Sequence, residues 1–232
     1  MKPLPFLLTL LATAASSLAG DADFHPVFNG KDLTGWDGDP RLWSVKDGAI
    51  RGETTPTAVA HGNTFLIWRG GKLENFELKL KFRIQNGNSG VQYRSTDHGK
   101  WVVGGYQAEV ENAQGKVGFL YHEKGRGYLA NVGEKVEVGE DGKPKVVGAL
   151  GDKQKDFVEK GYYKEKDWNE YLIIGKGNRL EHHLNGFKTI ELTDNDPKNR
   201  ALEGVLALQI HSGPPMVVEF KDIMVRNLAG QK

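Results

Sequence analysis

Two carboxylates stand two residues apart in Tyr106-Gln107-Ala108-Glu109-Val110-Glu111, where Gln107, Glu109 and Glu111 alternate with Tyr106, Ala108 and Val110. On a strand, that spacing puts Glu109 and Glu111 on one face, about 7 Å apart at a rise of about 3.3 Å per residue. Carboxylates at such a separation can divide acid and base work between them. They can equally be held in ion pairs, and Arg94 on a neighbouring strand is the cross-strand partner that would close one. His211, at the end of a further alternating run and just before Ser212-Gly213, reads either as a general base or as a turn histidine with a satisfied ring nitrogen.

Other polar residues on alternating runs are of the same unusual kind. Gln92 and Arg94 alternate with Val91 and Tyr93, and the face ending in Gln209 and His211 alternates with Leu206, Leu208 and Ile210. A solvated strand face carries Lys, Glu, Arg and Thr, as Glu77 to Arg83 does. Amides, carboxylates, a guanidinium and an imidazole instead make directional hydrogen bonds, which suits a polyhydroxylated ligand such as a sugar. Trp101 and Tyr121 are candidates to stack on a pyranose ring, whereas Tyr93 and Tyr106 point to the core by alternation. Gly125-Arg126-Gly127 is too short for a phosphate loop and reads as a turn exposing Arg126, a further candidate sugar contact. His182 and His183 face opposite ways along one strand, so they cannot share a metal from one side. No metal or other cofactor is expected.

The elements that must position these groups are strands. Thirty glycines and short β-branched and aromatic runs between turn signals argue for a sandwich or barrel rather than βαβ units. Phe76 to Ile84 alternates strictly between apolar and charged residues, so one side is core and the other is water. Lys46-Asp47-Gly48 and Asn185-Gly186 read as hairpin turns. Gly204 to His211 and Met216 to Arg226 are two more strands, broken apart by Ser212-Gly213-Pro214-Pro215 because proline cannot continue the ladder. Residues 131–166 are rich in Lys, Glu, Asp and Gly, and are expected as a long insertion off the sandwich, with a helical turn or two over 153–159. That insertion is either solvated loop or a lid over the ligand. The expected organisation is a leader over 1–19 and a single sandwich domain over 20–232.

Composition removes several functions. The leader has one basic residue, Lys2, an apolar run from Phe6 to Leu11 and small residues up to Ser17-Leu18-Ala19. Its apolar core is too short to span a bilayer, which predicts an exported protein, periplasmic or extracellular, starting near Gly20. Setting Lys2 aside, the basic residues equal the 30 acidic ones. With no basic face, nucleic acid is not an expected partner. The chain has no cysteine, which excludes thiolate metal sites, cysteine nucleophiles and disulfides.

Several motifs in order resemble the 3-keto-disaccharide hydrolase domain family, long catalogued as a domain of unknown function. These are Phe28-Asn29-Gly30-Lys31-Asp32-Leu33-Thr34-Gly35-Trp36, Asn88-Ser89-Gly90-Val91-Gln92-Tyr93-Arg94, Gly104-Gly105-Tyr106-Gln107-Ala108-Glu109, Gly118-Phe119-Leu120-Tyr121-His122-Glu123 and Ala207-Leu208-Gln209-Ile210-His211-Ser212-Gly213. The resemblance covers nearly all of the chain after the leader. It implies an all-β fold, a concanavalin A-like jelly-roll β-sandwich of two antiparallel sheets, and activity on glycosides oxidised to a ketone at carbon 3. Such a ketone acidifies the hydrogen on carbon 2, so a base can remove it and the enolate can expel the glycosidic oxygen from carbon 1. The resemblance then offers Glu109 or His211 as base, Arg94 with Gln92 or Gln107 at the enolate oxygen, and Glu123 or Glu111 as acid. Other branches of the family carry an acid where Gln107 stands and an amide where Glu109 stands, so the substrate does not carry over between branches.

An exported glycoside-cleaving enzyme working by acid/base chemistry on a concave sheet face is the reading these residues favour. The alternative is a non-catalytic carbohydrate-binding module, because the same sandwich serves both. A lectin needs no row of titratable groups on one face, and gathering them is costly unless they are used or mutually paired. A structural or adhesion domain is the third class, and the absence of repeats and long linkers argues against it.

Overall fold

The computed structural model describes residues 23–111, 117–151, 156 and 159–228. The expected leader and most of the helical turn expected over 153–159 lie outside the described residues. In chain order the strands are β1 His25–Pro26, β2 Trp36–Asp37, β3 Trp43–Lys46, β4 Ala49–Glu53, β5 Thr64–Trp68, β6 Phe76–Asn86, β7 Asn88–Asp97, β8 Val103–Glu111 and β9 Leu120–Glu123. They continue with β10 Gly127–Ala130, β11 Glu134–Val138, β12 Pro144–Ala149, β13 Asn169–Lys176, β14 Arg179–Leu184, β15 Phe187–Asp194, β16 Val205–Ile210 and β17 Val217–Asn227. Two sheets result, one ordered β12-β11-β15-β14-β13-β6-β17-β4-β3 with β1 beside β17, the other β10-β9-β8-β7-β16-β5-β2. Pairing is antiparallel except between β11 and β15. No helix among the described residues is long and apolar enough to cross a membrane.

Alternation explains how the sheets face each other. In β6, Phe76, Leu78, Leu80, Phe82 and Ile84 are buried while Glu77 to Arg83 between them are partly exposed. Opposite them, Val91 and Tyr93 of β7 and Tyr106, Ala108 and Val110 of β8 join the same buried cluster. Each large apolar side chain withdrawn there contributes about 2 kcal/mol. Three tyrosines also tie the layers together across the core. Tyr93 Oη meets His182 Nε2 at 2.7 Å, Tyr106 Oη donates to Asp194, and Tyr171 Oη donates to the Glu109 carbonyl. This last bond anchors the backbone at the centre of the polar row.

Both hairpin turns form with two consecutive residues at positive φ, Asp47 (51°) with Gly48 (75°) and Asn185 (48°) with Gly186 (86°). That geometry matches the twist of the flanking strands. The 131–166 stretch differs from the expectation of a long excursion. Residues 134–149 form a hairpin that extends the larger sheet, with Val136 and Val138 buried where β11 lies along β15. The alternation was short and crowded by Lys, Glu and Gly, so composition masked it.

Candidate active site

The polar row is delivered to the outer face of the smaller sheet by three ladders. β7 and β8 pair Asn88 with Glu111, Gly90 with Glu109 and Gln92 with Gln107. β8 and β9 pair Gln107 with Tyr121 and Gly105 with Glu123, and β16 brings Gln209 opposite Phe65 of β5. A cavity of about 270 Å³ opens above them. It is lined by seven residues singled out from the sequence: Gln107, Glu109, Glu111, Tyr121, Glu123, Gln209 and His211.

A chain of hydrogen bonds fixes the floor. Ser95 Oγ donates to Gln92 Oε1 at 2.6 Å, Gln92 Nε2 donates to Gln107 Oε1 at 2.8 Å, and Gln107 Nε2 donates to Glu109 Oε2 at 2.8 Å. Asn88 Nδ2 donates to Glu109 Oε1. Gly90 makes room for this arrangement, since a Cβ there would lie 2.3 Å from the Gln107 amide carbon. Glu109 is 3% exposed. Burial raises its carboxyl to about 7 against the pull of Gln107 and Asn88, and the carboxylates of Glu111 and Glu123 push the same way as burial. Such a group can exchange a proton near neutral pH.

Two further polar groups stand beside it. Gln209 is fully buried, yet neither its Nε2 nor its Oε1 has a hydrogen-bond partner among the described residues. Leaving a buried amide unmatched costs free energy unless a ligand or solvent fills the place. His211 Nδ1 lies 2.5 Å from the Ser212 carbonyl. A carbonyl only accepts, so Nδ1 carries the proton and Nε2 is left for other work. On the side wall, Tyr128 is 62% exposed and meets Tyr121 edge-on at 5.2 Å, an aromatic surface beside the polar floor.

Four expected contacts are placed elsewhere. Gln92 does not line the cavity but supports it from one bond behind, as the chain above shows. Arg94 is a correction: the β7–β8 register shifts between Tyr93 and Thr96, and Arg94 has φ 47°. That irregularity breaks the alternation, and its guanidinium instead donates to the Glu74 and Gly177 carbonyls, at 2.7 Å from Nε and 2.6 Å from Nη1. It therefore neither pairs with Glu109 nor reaches the cavity. Trp101 is another, because its Nε1 donates to Asp37 at 2.8 Å and holds the ring away from the cavity lining. Arg126 is not an exposed turn residue. Its Nη2 donates to Asp194 at 2.6 Å, on the core side with Tyr106 and His122.

Sequence reading missed Asn63, Asn88, Phe119 and Tyr128 as lining residues. Asn88 was within reach, since extending the Gln92 face two and four residues back gives Gly90 and Asn88. Asn63 precedes β5 in a loop and reaches Glu123 at 3.3 Å through tertiary structure alone. A larger cavity, about 650 Å³, lies over the other sheet beside Lys79, Lys81 and Asp222. Its Lys81 and Asp222 neutralise each other at 2.9 Å, and it has no buried carboxyl. Among the described residues, no group of three or more His, Asp or Glu side chains is placed to hold a metal ion.

Comparison with known proteins agrees with the architecture. A family model described as a 3-keto-alpha-glucoside-1,2-lyase-like domain matches residues 23–226. A Parabacteroides distasonis protein described as a candidate glycosyl hydrolase is similar in structure with a TM-score of 0.56 and 20% identity, over 88% of this chain and 99% of that one. The Bacillus subtilis carbohydrate-binding module CBM66 gives 0.54 and 15%, over 84% and 97%. A Bacillus subtilis protein of unknown function with a galectin-like fold gives 0.57 and 10%, over 88% and 94%. At these identities the likeness is one of fold. No curated protein matches the sequence.

Proposed function

Because this chain belongs to the 3-keto-alpha-glucoside-1,2-lyase-like domain family, we propose that it cleaves the glycosidic bond of 3-keto-glucosides by proton abstraction and elimination at the polar cavity. The observation that carries this reading is the pairing in one cavity of a desolvated Glu109 with a buried Gln209 amide that has no partner among the described residues. A carboxylate stripped of water is a strong base toward carbon, and an amide donor beside it can hold the enolate oxygen. In the proposed step, Glu109 takes the proton from carbon 2 and the C2–H electron pair is delocalised onto the carbon-3 oxygen. Collapse of that enolate forms a C1=C2 double bond and breaks the C1–O bond. The departing oxygen takes a proton from an acid on the cavity rim. Products are an unsaturated 3-keto sugar and the free alcohol, and water can then add across the double bond.

Incubating the purified protein with a 3-keto-glucoside tests this. Release of the alcohol with growth of ultraviolet absorption from the conjugated ketone, or release of the 3-keto sugar itself, supports the reading. Binding without release points to a carbohydrate-binding module. We also propose that residues 1–19 direct export to the periplasm or the exterior. Recovery outside the cytoplasm of protein starting near Gly20 supports that, and cytoplasmic protein retaining Met1 overturns it.

A further inference from the structure

Asn88, Glu111 and His211 line two cavities at once. One is the polar cavity of about 270 Å³, and the other, about 400 Å³, runs on past them to Gly87, Ser212, Gly213, Pro214 and Met216. The chemistry changes at that divide. On the first side stand Glu109, Glu123, Gln107, Gln209 and Asn63, while beyond it the only added hydroxyl among the described residues is that of Ser212. Pro214 and Pro215 fix the backbone of that wall. Gly87, at φ 82°, keeps it low, because a Cβ there would lie 2.9 Å from the Met216 Cβ.

We propose that the second cavity is the leaving-group subsite and takes a flat, apolar aglycone such as an aryl group, with the glycosidic oxygen at the Asn88, Glu111 and His211 divide. This rests on the polar cavity being the sugar site. A second sugar would set its hydroxyls against proline, methionine and glycine, whereas an aryl ring loses little there and gains contact. The divide also separates two duties. Glu109 and Gln209 line only the sugar side, so they serve the ring at carbons 2 and 3. His211 stands at the bond that breaks, and in the proposed step a proton carried on its Nε2 passes to the departing oxygen while Nδ1 keeps the proton it shares with the Ser212 carbonyl. Glu109 ends the step with one proton more and His211 with one fewer, and exchange with solvent restores both.

Measuring KM and kcat/KM for the 4-nitrophenyl, methyl and glucosyl 3-keto-glucosides tests the assignment. Because 4-nitrophenolate leaves more easily whatever surrounds it, the fit is read in KM, which is expected to be lower for the aryl substrate than for the disaccharide. Pro214→Asp, on an exposed residue, should cut the aryl-to-methyl ratio of kcat/KM about tenfold, with turnover of the methyl substrate serving as the control for folding. His211→Asn should lose more on the methyl substrate, whose alkoxide needs the proton, than on 4-nitrophenyl, whose anion leaves unaided. A disaccharide with a lower KM than the aryl glucoside, or a ratio unmoved by Pro214→Asp, overturns the proposal while leaving the sugar site standing. No cleavage of any of the three overturns the proposed function and the subsite with it.

Discussion

Two clusters of titratable groups lie on opposite sides of strand β8, and they are finished differently. On the core side, Arg126 sits between Asp194 and Asp196 at 2.6 and 3.4 Å. Tyr106 donates to Asp194, and the backbone N–H groups of Lys198 and Asn199 cap Asp196. Burial, with the Arg126 charge beside it, pulls His122 down to about 4, so it stays neutral. On the outer side and among the described residues, Glu109 has amide donors but no cation paired with it, two neighbouring carboxylates raise it, and Gln209 has no partner. Residue types alone make both clusters look catalytic. The first is closed within the protein and serves stability; the second is left incomplete where a ligand can enter, which costs stability and makes chemistry possible.

The comparison breaks most sharply at Glu109. Glu109→Gln keeps the shape and the Gln107 contact but removes the proton acceptor, so turnover should fall about 10³-fold while the fold is retained. Wild-type activity should rise with pH through about 7, as Glu109 ionises. Stability should move the other way. The native state holds its proton up to about 7, whereas the unfolded chain releases it near 4.5. Native protein therefore binds more protons between those values, and stability falls as pH rises across that window, by about 3 kcal/mol at most. Glu109→Gln should lack this slope and be the more stable protein at pH 8. Denaturant titrations at pH 5 and pH 8 would show it, and a variant that is inactive and also less stable at pH 8 would mean Glu109 is structural.

Arg126→Met should do the reverse. Asp194 and Asp196 would remain buried with their cation removed, a loss of about 3–5 kcal/mol read as a lower denaturant midpoint. Protein still folded should keep its kcat, because Arg126 does not line the cavity. A large drop in kcat with the midpoint preserved would erase the distinction between the clusters.

What the sequence revealed follows the range over which each signal acts. Alternation is local, so Phe76 to Ile84, the Asn185-Gly186 turn and the shared face of Gln107, Glu109 and Glu111 were all legible. It failed at Arg94, where an irregularity in the β7–β8 ladder ends the period of two and the side chain leaves for the Glu74 and Gly177 carbonyls. Nothing near Gly125-Arg126-Gly127 signals that Asp194, 68 residues on, will claim the guanidinium. The decisive property of Gln209, having no partner among the described residues, depends on every neighbour at once and is visible only in three dimensions.

The smallest effect sharpens the outer cluster from behind. Ser95 Oγ has one proton and lies 2.6 Å from Gln92 Oε1, closer than its alternative acceptors, the Tyr93 carbonyl at 3.0 Å and the Tyr106 carbonyl at 3.4 Å. That bond sets the direction of the whole chain: with its oxygen toward Ser95, Gln92 must offer Nε2 to Gln107, which must then offer Nε2 to Glu109. Ser95→Ala leaves a buried Gln92 oxygen unmatched, at a cost of about 1 kcal/mol. It also frees both amides to turn over, and a reversed Gln107 would set its oxygen against Glu109 Oε2. Two acceptors face each other only if one carries a proton, so the variant should favour protonated Glu109. The rising limb of the activity profile should move to higher pH by a few tenths of a unit, about 0.5 kcal/mol. A hydroxyl that merely filled space would lower the melting temperature and leave that limb where it was.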